Sequence, residues 1–254
     1  AIFTQAKHYF ELCQIRSIHN QSLLNVTKAH YAFSLSFRNY QILAIDNRAE
    51  RTLKQVMSKT QWGDLKTALA GIAQTKDLLL LSAVPVVYRD FSFADEAFGA
   101  TPWEEELTDD LKDHWRAKEH QGERAKLIMN LLDNTNTRQG RTVMLSGDIH
   151  IGCIGVVNDN RQTTSVKIHQ VVSSGIVHPS PSMIEWFGIM AVTNDRDEFL
   201  NEDLTIKVSM LKPHGSNQYI RARNFVTLEQ GTDDKLWVNW ICEGNDRPVY
   251  PLDK

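Results

Sequence analysis

The feature that most constrains this chain is the apolar run Leu78-Leu-Leu-Leu-Ser-Ala-Val84, closed by Pro85. A strand that is apolar at nearly every position is buried on both faces, the condition of a central strand in a covered sheet. Proline cannot donate to a ladder, so Pro85 ends the pairing. A second strand of this kind is Val143-Met-Leu145, stopped by Ser146-Gly147. Between them, residues 111–132 read as a charged helical region with Leu127, Ile128, Leu131 and Leu132 as its apolar stripe. Trp115 lies upstream, and Gly122 is a point where this region divides in two. Buried strands alternating with helices predict an α/β fold.

The flanks extend this pattern. Phe3, Ala6, Lys7 and Phe10 recur at helical spacing over residues 3–16. Tyr31 to Phe37 alternates apolar and small polar residues and, with Ile42 to Ile45, predicts a hairpin turning at 38–41. Ser58-Lys-Thr-Gln61 has capping-box spacing, and Trp62, Leu65, Leu69 and Ile72 mark one helical face after it. Residues 89–110 are aromatic and acidic and read as a long loop. After the second buried strand come strands at 153–157 and 166–173, a short apolar helix at Met183 to Met190, and a strand at 204–208. A hairpin formed by 224–228 and 235–241 closes the chain, so antiparallel strands dominate the C-terminal end.

At 254 residues, without internal repeat or linker, one domain spanning 1–254 is the simplest organisation. A net charge of −3 leaves no basic excess for a nucleic-acid partner. No apolar run approaches the ~20 residues of a membrane span, so no membrane partner is expected and a cytoplasmic address is favoured. The three cysteines, Cys13, Cys153 and Cys242, are far apart and form no Cys-x-x-Cys. The chain begins at Ala1, without an initiator Met or a signal pattern.

Chemistry concentrates just after the second buried strand, in Ser146-Gly-Asp-Ile-His150. Ligands collect beyond the carboxyl ends of strands in open α/β sheets. In extended backbone, residues two apart point the same way, which would aim Asp148 and His150 at one target. Carboxylate with neutral imidazole suits Zn, Mn or Fe, and Ca if oxygens are added. Gly147 and Gly152 flank the pair and permit a close approach. Asp46-Asn-Arg48 follows the strand 42–45 in the same manner. There Arg48 either forks onto a phosphate or carboxylate, or pairs with Asp46 to fix the loop. His169 and His178 sit near strand ends without motif spacing. His114 and His120 belong to the charged helical region, where solvation is the ordinary role. Cys153 beside His150 also raises a Cys–His nucleophile, though Cys153 opens an apolar strand. P-loop, Rossmann and Gly-x-Ser-x-Gly motifs are absent from the sequence.

Taken in order, Leu43-Ala-Ile-Asp46-Asn-Arg48-Ala-Glu-Arg51, Gln61-Trp62, Leu79 to Pro85, Trp115 before Glu123-Arg124, and Ser146-Gly-Asp-Ile-His150 resemble the PhoD-like branch of the calcineurin-like metallophosphoesterases. The resemblance covers roughly residues 30–180. It implies part of a two-sheet, helix-flanked metallophosphoesterase sandwich acting on phosphate mono- or diesters. It also implies two divalent or trivalent metal ions (Ca, Fe, Mn or Zn), with Asp148 and His150 each on one of them. Arg48, Asp46 and Trp115 would lie near the phosphate-ester substrate. The family's earlier Asp-x-His, Gly-Asp-x-x-Asp and Gly-Asn-His motifs have no match in these 254 residues. The expectation is therefore a C-terminal portion of such a domain, inactive alone, whose bare sheet edges allow a homodimer. The alternative is a non-catalytic binding domain that keeps the fold.

Overall fold

The computed structural model describes residues 23–25, 29–88, 115–147, 150–177, 179–192 and 196–253. The hairpin expected near the start is β1 (Phe33–Phe37) and β2 (Tyr40–Ala44), joined by Arg38-Asn39 with Arg38 at φ 50°. Helix α1 (Lys59–Ala70) follows, then β3 (Asp77–Leu81), helix α2 (Gln121–Asn136) and β4 (Thr142–Ser146). After these come β5 (Gly152–Asp159), β6 (Val166–Val172), helix α3 (Met183–Val192), β7 (Glu198–Phe199), β8 (Ile206–Leu211) and β9 (Tyr219–Ile220). The chain ends with β10 (Asn224–Gln230), β11 (Leu236–Cys242) and β12 (Val249–Leu252).

Nine strands form one mixed sheet in the order β1-β2-β3-β4-β6-β5-β8-β7, with β9 extending along β5. Strands β2, β3, β4 and β6 run parallel at its centre, and the remaining pairings are antiparallel. The last three strands make a separate antiparallel sheet. The fold is thus the α/β, two-sheet arrangement expected, with antiparallel strands at the C-terminal end.

The period-two geometry of a strand explains the apolar run that marked β3. Leu78 and Leu80 point to the face covered by α1 and α2, among Leu65, Leu69, Leu127, Ile128, Leu131 and Leu132. Leu79 points to the opposite face, where Val143, Ile154 and Val171 pack on Leu236, Val238, Trp240 and Leu252 of the small sheet. Trp240 also donates its indole N–H to the Val172 carbonyl at 2.9 Å, tying the small sheet to the end of β6.

Three boundaries differ from expectation. Helix α2 begins at Gln121, after a 3-10 turn at Lys118–His120, and Gly122 sits in its first turn without dividing it. Nothing lies near the position a Cβ would take there, so packing does not require a glycine. Strand β3 stops at Leu81, so Ser82 to Val84 leave the ladder and line the sheet's end. Strand β8 starts at Ile206, two residues later than the apolar pattern suggests. The predicted helix at 3–16 and loop at 89–110 lie outside the described residues.

Candidate functional site

The parallel strands β2, β3, β4 and β6 deliver their carboxyl ends to one rim, where the chain continues as Ile45 to Arg48, Ser82 to Pro85, Gly147 onward, and Ser173-Ser174. The rim is knit by buried amide side chains. Asn47 Nδ2 donates to Ser82 Oγ at 3.0 Å, and Asn47 Oδ1 accepts from the Ala83 amide at 3.2 Å. Ser82 Oγ in turn donates to the Val84 carbonyl at 2.6 Å. Gln170 on β6 accepts from the Val86 amide at 3.0 Å and donates to Ser146 Oγ at 3.0 Å, stitching three strand ends together. Beyond β6, Asn224 Oδ1 accepts from the Ser174 amide, and Ser174 Oγ accepts from the Asn224 amide at 2.9 Å. Sequence reading gave these side chains no role, although Asn47, Ser82 and Ser146 lie inside the motifs it quotes. Asn and Gln report burial only through their partners, which come from distant strands.

The Asp46 loop is held just as firmly. Asp46 Oδ1 accepts from the amides of Arg48 and Ala49 at 3.2 and 2.9 Å, and Oδ2 accepts from the Tyr31 amide at 2.9 Å. Its carboxylate therefore shapes the turn that carries Arg48. Gln61 grips the same residue from the first turn of α1. Its Oε1 accepts from the Asp46 amide and its Nε2 donates to the Asp46 carbonyl, each at 2.7 Å. A third bond runs from Nε2 to Glu50 Oε2 at 2.9 Å. Ser58 caps the helix through the Gln61 amide at 3.2 Å, half of the expected capping box. The other half is taken by Glu50, whose Oε2 accepts from the Ser58 amide at 3.2 Å.

His150 is half-buried at the start of the link into β5, with its backbone at φ 57°. This left-handed conformation is uncommon outside glycine. Strand β4 has already ended at Ser146, so the alternation of an extended backbone does not reach His150, and the expected strand geometry does not aim it. Asp148 and His178 lie outside the described residues, as does His114. Gly152 does serve a close approach, but by the chain itself. A Cβ there would meet Asn224 Nδ2 and the Trp240 ring at 3.0 Å.

The other candidates occupy interior positions. Trp115 is buried in the helix-covered core, at 1% exposure, which is packing rather than a surface open to substrate. His169 is buried on β6, where desolvation first, then the Lys167 charge, pushes its pKa down to about 4. His120 is buried with Nε2 at 3.0 Å from the Thr52 carbonyl. Cys153 is fully buried beside Val172 and Tyr219, so the Cys–His nucleophile has no approach for a substrate. Among the described residues, no group of three or more His, Cys, Asp or Glu side chains is placed to hold a metal. Those residues therefore do not form a metal centre on their own.

With this geometry in view, the likeness drawn from the motifs is matched by a family comparison: residues 96–200 fit the model of PhoD related phosphatase. That span holds α2, β4, the sequence Gly147-Asp-Ile-His150, β5, β6 and α3. An uncharacterized protein of Saccharomyces cerevisiae is 27% identical over 154 residues, covering 50% of this chain and 22% of its own length. The chain thus spans about a fifth of that relative. Among solved structures, a purple acid phosphatase from yellow lupin (Lupinus luteus) seeds overlaps 90% of this chain and 34% of its own. The TM-score is 0.40 at 12% identity.

Proposed function

We propose that this chain is the portion of a PhoD-type, metal-dependent phosphoesterase that supplies one rim of the active site. The observation that carries the reading is the PhoD related phosphatase match, which includes the Ser146-Gly-Asp-Ile-His150 motif that follows a central parallel strand. On this reading Asp148 and His150 are the chain's contribution to metal ligation. The described residues do not complete a ligand set by themselves, and the remaining ligands would come from the family's earlier motifs, which have no match in these 254 residues. When bound, such metals supply an activated water and neutralise charge on the phosphoryl oxygens. The chain's own described residues hold the frame. Asn47, Ser82, Gln170 and Asn224 fix the four strand ends relative to one another, and Asp46 and Gln61 fix the turn that presents Arg48. An arginine there is suited to fork onto a phosphate.

Turnover of p-nitrophenyl phosphate and bis-p-nitrophenyl phosphate tests this, with Mn or Ca added and then chelated. The full-length protein carrying this segment is expected to hydrolyse at least one of them in a chelator-sensitive way. The 254-residue chain alone is expected to be inactive. Robust metal-dependent turnover by the chain alone would overturn the assignment of missing ligands. A full-length protein inert with every metal would favour the non-catalytic binding domain.

A further inference from the structure

Helix α3 and the loop leading into it are unusually apolar for a surface. Met183, Ile184, Phe187 and Met190 recur at helical spacing and are exposed, and Ile176 and Val177 precede them. Isolated exposed apolar residues are ordinary, but six within residues 176–190 form a patch of the kind that marks an interaction surface. The helix is anchored from its other side. Trp186 tilts against Tyr219 of β9 with ring centroids 5.5 Å apart, and Arg221 Nε donates to the Pro181 carbonyl at 3.2 Å. The patch is therefore a fixed shoulder on the segment that leaves the carboxyl end of β6, the same rim that carries His150.

Two features say what covers it. Val177 is 85% exposed, Ile184 76%, Ile176 69% and Phe187 65%, so these side chains stand out from the surface instead of lining a groove. Protruding aliphatic and aromatic side chains insert into the boundary between headgroups and acyl chains. Beside them sit two guanidinium groups. Arg221 has no carboxylate partner among the described residues, and Arg223 reaches both the Val177 carbonyl at 3.3 Å and Glu243 at 3.1 Å. Arginines next to an apolar wedge complement anionic headgroups.

We propose that this shoulder seats the rim on the surface of an anionic phospholipid bilayer. The sequence held no spanning run, and no helix among the described residues is long and apolar enough to cross a membrane. A seat in the interface needs neither. That docking would present lipid phosphoesters to the rim rests on the function proposed above; the docking itself does not.

Sedimentation of the whole chain with vesicles tests it without any turnover, so its failure leaves the phosphoesterase reading untouched. Vesicles of equal parts phosphatidylcholine and phosphatidylserine are expected to pellet the chain, and phosphatidylcholine alone to pellet less. The double variant Ile184→Asp, Phe187→Asp is expected to lower the vesicle-bound ratio about tenfold. The pair Ile176→Asp, Val177→Asp does the same independently. All four positions are exposed, and unchanged thermal unfolding of the variants confirms that the fold is intact. The proposal is overturned if the unaltered chain stays in solution, or if both variants bind as it does. It is also overturned if light scattering shows that the substitutions dissolve a dimer instead.

Discussion

Replacing Gln61 with Leu tests how the helix start governs the rim. Gln61 is fully buried, and its amide makes three hydrogen bonds, two of them to the Asp46 backbone and one to Glu50. Leucine has nearly the same volume, so packing is preserved and the loss is polar. Each net hydrogen bond contributes about 1 kcal/mol, and orphaning a buried backbone group costs more. The expected destabilisation is about 3–4 kcal/mol, which for a chain of this size lowers Tm by about 6–16 °C. Urea denaturation followed by circular dichroism reads it as a lower midpoint at constant slope. In the full-length protein the same change should raise KM for a phosphoester more than it lowers kcat, because the loosened turn presents Arg48. A loss below about 1 kcal/mol would show that the Asp46 loop holds itself and that Gln61 is no latch.

Other perturbations bear on the frame. His169 has its pKa pushed from 6.5 down to about 4 by burial, so the unfolded chain binds the proton more readily than the folded one. Stability from this group is complete above pH 6.5 and is lost as pH falls toward 4, by about 3 kcal/mol in all. Urea midpoints across that range should show the loss, and His169→Gln should flatten that part of the profile. Arg124 is fully buried and forks onto Glu198 at 2.8 and 2.9 Å while donating to the Val86 carbonyl at 2.7 Å. Burial alone would raise the Glu198 carboxyl, but Arg124 and Arg116 hold it below its usual value. Arg124→Met should cost about 2–3 kcal/mol in chemical denaturation, since it leaves Glu198 to Arg116 alone and orphans the buried Val86 carbonyl. Gly140→Ala should destabilise strongly, because its Cβ would fall 1.9 Å from the Lys76 carbonyl oxygen. A Tm within a degree or so of the parent would contradict that packing.

What was legible in the sequence was whatever depends on local periodicity. The β3 and β4 runs declared two-sided burial, the 33–44 alternation gave its hairpin, and Ser58 marked the true N-cap of α1. Residues 115–120 do not join α2, although their charges fit a helical pattern as readily as those of the residues that follow. The rim was harder to read. Gln170, Asn47 and Asn224 earn their roles from partners dozens of residues away, and a lone amide in a sequence carries no sign of them. Glu198 is similar: nothing in Asp197-Glu-Phe199 announces that two arginines converge on it. The strand geometry expected for His150 does not hold, since β4 ends at Ser146 and the His150 backbone is left-handed.

The central claim is that this rim works as part of a metal-dependent phosphoesterase. The most direct measurement is metal-dependent hydrolysis of bis-p-nitrophenyl phosphate by the full-length protein, compared with its His150→Ala variant, with metal affinity measured calorimetrically on both. The account predicts a fall in kcat/KM of about a hundredfold or more, with weaker metal binding and an unchanged melting profile. Equal turnover and equal metal affinity in the two proteins would contradict it.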